Sequence, residues 1–347
     1  MAAELDWSSL GFHFRPTNKI VVSYYKEGQW SAPVTTSDFT VALNCFANVF
    51  HYGSACFEGL KAFRGKDGKV RLFRPDENAK RLKSSAERLG IGAVPEQMFT
   101  QMCLTAVKEN IDFLPPYGYN ASMYIRPVII GTTPGIGVSS SAEAMFIVMV
   151  APVGTYSGKK SLTPLTATVA RNYDRAAPNG TGRFKVAANY AISLFPYNMA
   201  HSQGYGELLF LDPATHTYID EFGSSNFLAI QGNKYVTPLS DSILPSITNK
   251  SLQQVAQDLG LTVEKRKIAL EEVADFDEIN ACGTAVVITP IKSIDDKARL
   301  EDAAPVKTYN MPSGEEVGKT SKKIYDRIRG IQDGIEEDIH NWCVFLD

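Results

Sequence analysis

The stretch GTGRFKVAANY, residues 180–190, decides how the rest of the chain is read, because it sets one lysine, Lys185, in a largely apolar run. A lone lysine is ordinarily a solvated surface charge whose stem lies along the protein. Here Phe184, Val186, Ala187, Ala188, Ala191 and Ile192 are its neighbours in sequence. Such surroundings disfavour the ammonium form and leave a nucleophilic amine. Two later segments extend the pattern. DEFGSSN (220–226) carries an acidic pair followed by a turn of small residues, and ACGTAVVITP (281–290) leads from a Gly-Thr-Ala turn into a β-branched run.

Composition bounds what these segments can serve. At 347 residues the chain exceeds the usual size of one hydrophobic core, which implies two domains. Hydrophobic residues make up 44%, which excludes a disordered chain. With 35 basic and 38 acidic residues and a net charge of -3, nothing suggests nucleic acid or an anionic membrane as partner, so a small ligand is expected. Cys45, Cys56, Cys103, Cys282 and Cys343 form no CxxC pair, giving neither a metal-site pattern nor a disulfide framework. The opening MAAELDWSSLGF has no basic flank before an apolar run, unlike a signal peptide. The longest apolar run, MFIVMVAPV (145–153), is far short of the roughly 20 residues of a membrane helix. A reduced, cytoplasmic protein is expected.

The periodicities predict a mixed α/β fold. Lys19 to Tyr25, Met123 to Gly131 and Met145 to Val153 read as strands, separated by helical patterns. One helix should open at Pro75-Asp76, carry Ala79, Leu82, Ala86 and Leu89 on one stripe, and stop at Gly90. A second should span Glu96 to Phe113. The Gly-, Pro- and Ser-rich APVGTYSGK (151–159) reads as a connection between domains. Beyond it, strands are expected at Leu165 to Ala170, Glu207 to Leu211, Asn226 to Ile230 and Ala285 to Ile291, with helices after Lys185, after Pro245 and from Glu315 to Asp338. LGIGAVP (89–95) lacks the third glycine of a dinucleotide fingerprint.

Together the lysine, the acid-x-Gly-x-x-Asn segment and the Gly-Thr-Ala turn resemble fold-type-IV pyridoxal-phosphate enzymes, and within them the branched-chain amino acid aminotransferases, over nearly the whole chain. The resemblance implies a two-domain α/β (mixed α+β) architecture. Its domains would be a smaller N-terminal one at 1–150, a loop at 151–160 and a larger one at 161–347 carrying the cofactor lysine. It also implies a homodimer whose active site lies at the domain and subunit interface.

The chemistry of pyridoxal 5'-phosphate asks for a lysine to form the Schiff base, an acid beside the pyridine nitrogen and donors for the phosphate. By resemblance Lys185 is the catalytic base, Glu221 the acid, Tyr190 the partner of the phenolic oxygen, Arg81 in FRPDENAKRL the phosphate arginine, and Ser224 and Asn226 part of the cofactor turn. Arg74 competes with Arg81. Ser246 to Thr248 would open a helix whose N–H groups and dipole favour an anion, making Ile247 and Thr248 backbone donors; Thr284 adds a hydroxyl.

For substrate, strand alternation in SMYIRPVIIG puts Tyr124 and Arg126 on one face. By resemblance Arg126 takes glutamate's side-chain carboxylate. Tyr52 and Phe57, in HYGSACFEGLKAF, with Phe14 and Tyr156 wall an aliphatic pocket, and Thr284 and Ala285 bind the α-carboxylate; Phe12 competes with Phe14. The implied activity is ping-pong exchange of the amino group between L-leucine, L-isoleucine or L-valine and 2-oxoglutarate. Ala187-Ala188 stands where many members have two glycines, and TAVVITP has no CxxC. A D-amino acid aminotransferase, an aminodeoxychorismate lyase and a non-catalytic binding module of the same fold are the alternatives.

Overall fold

A computed structural model describes residues 5–154 and 162–346. Two compact units are distinguished. The first comprises Met1–Gly158, Phe184–Ala188 and Gly330–Asp347; the second comprises Lys159–Arg183 and Asn189–Arg329. Lys185 thus belongs to the first unit, whereas the sequence reading put it in the C-terminal domain. Tyr156 lies outside the described residues.

The first unit is built on a nine-stranded antiparallel sheet. At its centre Ser122–Gly131 pairs with Ala144–Val153 along the full ten residues of each. Alternation sorts the Ser122–Gly131 side chains. Met123, Ile125 and Ile129 enter a core with Leu82, Ala86, Phe99, Met102 and Val107, while Val128 and Ile130 join Ile20, Val22, Met145 and Ile147 in a second cluster. Covering the first face are the helices Pro75–Arg88 and Glu96–Glu109. Pro75 opens the former with its fixed φ, where a missing N–H costs nothing, and Gly90 beyond its end adopts φ 64. The second expected helix stops at Glu109, and its remainder is a separate 3-10 turn, Ile111–Phe113.

In the second unit six strands close into a ring. In ring order they are Ile219–Phe222, Glu207–Leu211, Leu165–Val169, Val287–Asp296, Glu278–Gly283 and Asn226–Gln231. Asn226–Gln231 pairs back to Ile219–Phe222 through one register pair, Glu221 with Asn226. Ala167, Val169, Leu209, Leu211, Phe227, Ala229, Ile279, Ala281 and Ile291 belong to its core. Lys234–Pro238 and Thr262–Arg266 extend the sheet as a parallel pair. The expected Ala285 to Ile291 strand begins only at Val287, leaving Thr284 and Ala285 in a turn. The helix after Lys185 is two short ones, Ala187–Ala191 and Leu194–Ser202. The last long helix is Lys319–Gln332, shorter at both ends than its apolar pattern predicts.

Candidate active site

In the first unit, Lys185 is held by its backbone. Its N–H donates to the Ser85 hydroxyl at 2.9 Å, and its carbonyl accepts from the Phe57 N–H at 3.1 Å. The lysine Nζ stands 4.9 Å from the centre of the Phe57 ring. Arg126 lies 4.8 Å from the same ring and 5.2 Å from Tyr124, whose hydroxyl accepts from Arg126 Nη2 at 3.2 Å. Arg126 Nε is buried and has no hydrogen-bond partner among the described residues. Buried donors are nearly always paired, so this orphaned one marks a place where a further acceptor would be accommodated. Gly59 is dictated by the same cluster, since a Cβ there would collide with the Tyr124 hydroxyl.

Phe14 is not part of this cluster. It is 82% exposed, and Phe12 instead meets Tyr124 edge-on at 5.6 Å. The segment has no regular structure here, so spacing alone does not select which ring turns inward. Tyr52 ends the helix Asn48–Tyr52 and donates its hydroxyl to the Ile136 carbonyl. A residue that sequence reasoning missed is Lys61. It is 9% exposed, lies opposite Tyr124 in the ladder and sits 6.0 Å from the Phe12 ring. Arg81 meets Glu58 through a fork, Nε to Oε1 at 2.7 Å and Nη2 to Oε2 at 2.8 Å. The competing Arg74 stacks on Trp342 at 5.0 Å.

The second unit supplies a buried acid in a polar chain. Glu221, 4% exposed, accepts from Arg175 at 2.6 Å, from Asn226 at 2.7 Å and from the Leu244 N–H at 3.2 Å. Asn226 accepts in turn from Asn249 at 3.1 Å, which lies in the first turn of the helix Ile247–Asp258. This network fixes the carboxylate relative to the N-terminus formed by Ile247 and Thr248, where Ser246 caps by accepting from the Asn249 N–H. Burial pushes the Glu221 carboxyl above the usual range, and Arg175, Leu244 and Asn226 pull against that rise. Arg175, also hydrogen-bonded to the Gly182 and Ser242 carbonyls, had no local signal in DRAAP, because its partner comes from 46 residues onward.

Ser224 is exposed in the bend between the two ring-closing strands. Thr284 and Ala285 lie in the turn after Gly283, and the next residue but one, Val287, is held at φ 68. Beside Gly283, whose added Cβ would lie 3.7 Å from Ser225 Cβ, the Ser225 hydroxyl is buried without a partner among the described residues. Tyr190 falls in the helix Ala187–Ala191, where both substituted alanines adopt negative φ, so glycine is not needed there. Each unit thus holds part of what pyridoxal phosphate requires: the first a lysine amine on an aromatic face and an arginine, the second a buried acid and a capped helix start.

Residues 55–294 match the family model of amino-transferase class IV. The chain is 41% identical to the branched-chain-amino-acid aminotransferase of Haemophilus influenzae over 99% of both chains. It is 43% identical to that of Helicobacter pylori over 97% of both. The chain belongs to the class-IV aminotransferases, on their branched-chain side. The branched-chain aminotransferase of Escherichia coli superposes with a TM-score of 0.75 at 26% identity, covering 95% of this chain and 100% of that one. That of Thermobaculum terrenum, in its PLP form, gives 0.75 at 23% identity, covering 96% and 100%. The family works with pyridoxal phosphate, and the donor set fits that cofactor.

Proposed function

We propose that this class-IV aminotransferase moves the amino group reversibly between L-leucine, L-isoleucine or L-valine and 2-oxoglutarate, with Lys185 as the catalytic amine. The observation that carries the reading is the grouping of Lys185, Phe57, Tyr124 and Arg126, with the Arg126 Nε buried and unpaired among the described residues.

Pyridoxal phosphate, when bound, supplies an aldehyde for the amino group and a ring that accepts the electrons left on Cα. Lys185 would hold the cofactor through its amine and, as a free base once the substrate amine has replaced it, would move the proton from the substrate Cα. Glu221, whose carboxyl burial raises while Arg175 pulls it back down, would stand beside the ring nitrogen and hold a proton there. Tyr190 would donate to the phenolic oxygen. Arg81 in the first unit would be a phosphate donor, as would Thr284 and the N–H groups of Ile247 and Thr248 in the second, where Ser224 and Asn226 would shape the cofactor turn. The α-carboxylate goes to the Thr284 and Ala285 N–H groups. Phe57 and Tyr52 offer apolar surface to aliphatic side chains, worth about 0.8 kcal/mol per buried methylene, while Arg126 and Tyr124 take the second carboxylate of glutamate.

We infer a cytoplasmic homodimer. The exposed Phe46, Phe50 and Tyr52 of the first unit form apolar surface suited to a second copy, and all five cysteines are free thiols. The decisive variant is Arg126→Ala. It should lower kcat/KM for glutamate and 2-oxoglutarate by about 10- to 100-fold, as expected for a lost charge-assisted pair, and leave leucine within a few-fold. Equal losses for leucine and glutamate would overturn the assignment.

A further inference from the structure

The carboxyl of Glu58, in the turn between the strands Ala55–Phe57 and Leu60–Arg64, has no role in the reaction described above. It is fully buried. Both its oxygens are engaged: Oε1 accepts from Arg81 Nε at 2.7 Å, and Oε2 from Arg81 Nη2 at 2.8 Å, Asn78 Nδ2 at 2.7 Å and the Gly59 N–H at 3.2 Å. The Glu58 backbone is pinned as well, its N–H donating to the Pro127 carbonyl at 2.8 Å.

The donors form a row. Asn78, Arg81 and Ser85 follow one another at i, i+3 and i+7 on the helix Pro75–Arg88 and therefore share a face. Glu58 meets the first two. The Ser85 hydroxyl donates to the Arg81 carbonyl at 2.9 Å and accepts the Lys185 N–H at 2.9 Å. One helix face thus ties the arginine to a rigid turn and to the backbone of the reactive lysine.

A guanidinium is planar and presents two edges to anions, the Nε/Nη2 side and the Nη1/Nη2 end. Glu58 takes the side edge in a bidentate pair, which fixes the plane and aims the terminal edge in one direction. A flexible arginine loses rotamer freedom on being ordered; here that ordering precedes the ligand. We infer that Glu58 is a positioning residue for Arg81, orienting its guanidinium for the phosphate of the cofactor and so setting phosphate-specific affinity. This rests on the phosphate role proposed for Arg81. The opposite arrangement, in which Glu58 competes with the phosphate for Arg81, predicts the opposite sign.

The test compares apoprotein affinities for pyridoxal phosphate and for pyridoxal, which lacks the phosphate, in the unaltered chain, Glu58→Gln and Arg81→Ala. Inorganic phosphate serves as competitor. Glu58→Gln should weaken pyridoxal phosphate about 10- to 100-fold, leave pyridoxal within about twofold, and weaken phosphate competition in proportion, the scale of one charge-assisted hydrogen bond. Unchanged or tighter pyridoxal phosphate binding would overturn the inference. So would equal losses for the two aldehydes, which would mark a general structural role. If Arg81→Ala leaves the ratio of the two affinities unchanged, the phosphate role of Arg81 fails and the inference falls with it. Should the glutamine variant not fold, Glu58→Asp, which keeps the charge and withdraws it by one methylene, is read in the same way.

Discussion

Glu207→Gln should change the stability of the chain in a pH-dependent way whose size follows from where Glu207 sits. The residue begins the strand Glu207–Leu211, and alternation places it on the face of Leu209 and Leu211, which belong to the core of the six-stranded ring. Its Oε2 is buried with no hydrogen-bond partner among the described residues. Desolvation pushes the carboxyl up from 4.5 to about 7, with only the Leu208 N–H pulling it down. A carboxyl whose folded pKa is raised stays protonated in the native state after the unfolded chain has released its proton. The native state is therefore most favoured below about pH 4.5 and loses stability as the pH rises towards 7. Across that window the loss comes to about 3 kcal/mol, at roughly 1.4 kcal/mol for each pH unit. The isosteric glutamine carries no such dependence. Urea unfolding of both proteins from pH 4 to pH 8.5 isolates the single group as the difference between their midpoints. The variant should gain on the unaltered chain through the window and level off above it. A difference that stays flat with pH would refute the reasoning, because it would mean that Glu207 ionises in the fold as it does in water.

Two other expectations concern the reaction itself. Lys185→Ala should abolish transamination while leaving the far-ultraviolet circular dichroism unchanged, since the hydrogen bonds that tie residue 185 to Ser85 and Phe57 are made by its backbone; near-normal turnover would remove its role. Arg175→Met leaves the buried Glu221 without its 2.6 Å ion pair, and loss of a buried partner costs about 3–5 kcal/mol. The Glu221 carboxyl should then rise further, moving the acid limb of the kcat profile to higher pH, and an unmoved limb would contradict the pairing.

The parts of this fold that sequence revealed are those specified by neighbours along the chain. Pro75, the Ala79-Leu82-Ala86 stripe and Gly90 state the start, face and end of one helix within 16 residues. The period-2 pattern of Ser122–Gly131 likewise gave the shared face of Tyr124 and Arg126. What depends on distant partners was not legible. Ring closure rests on a single register pair, Glu221 with Asn226, which sequence proximity suggests only as a turn. Arg175 acquires meaning only when Glu221 comes within 2.6 Å, and Glu58 only when Arg81 does. Phe12 competes with Phe14 in sequence, and only the irregular backbone there brings the Phe12 ring onto Tyr124.

The measurement that bears most directly on the central claim is the visible absorbance of the protein loaded with pyridoxal phosphate, followed on adding L-leucine and, separately, D-alanine. Loss of the visible band with L-leucine alone is the predicted result. Loss with D-alanine alone, or no cofactor band in a well-folded preparation, would contradict a branched-chain aminotransferase that works through Lys185.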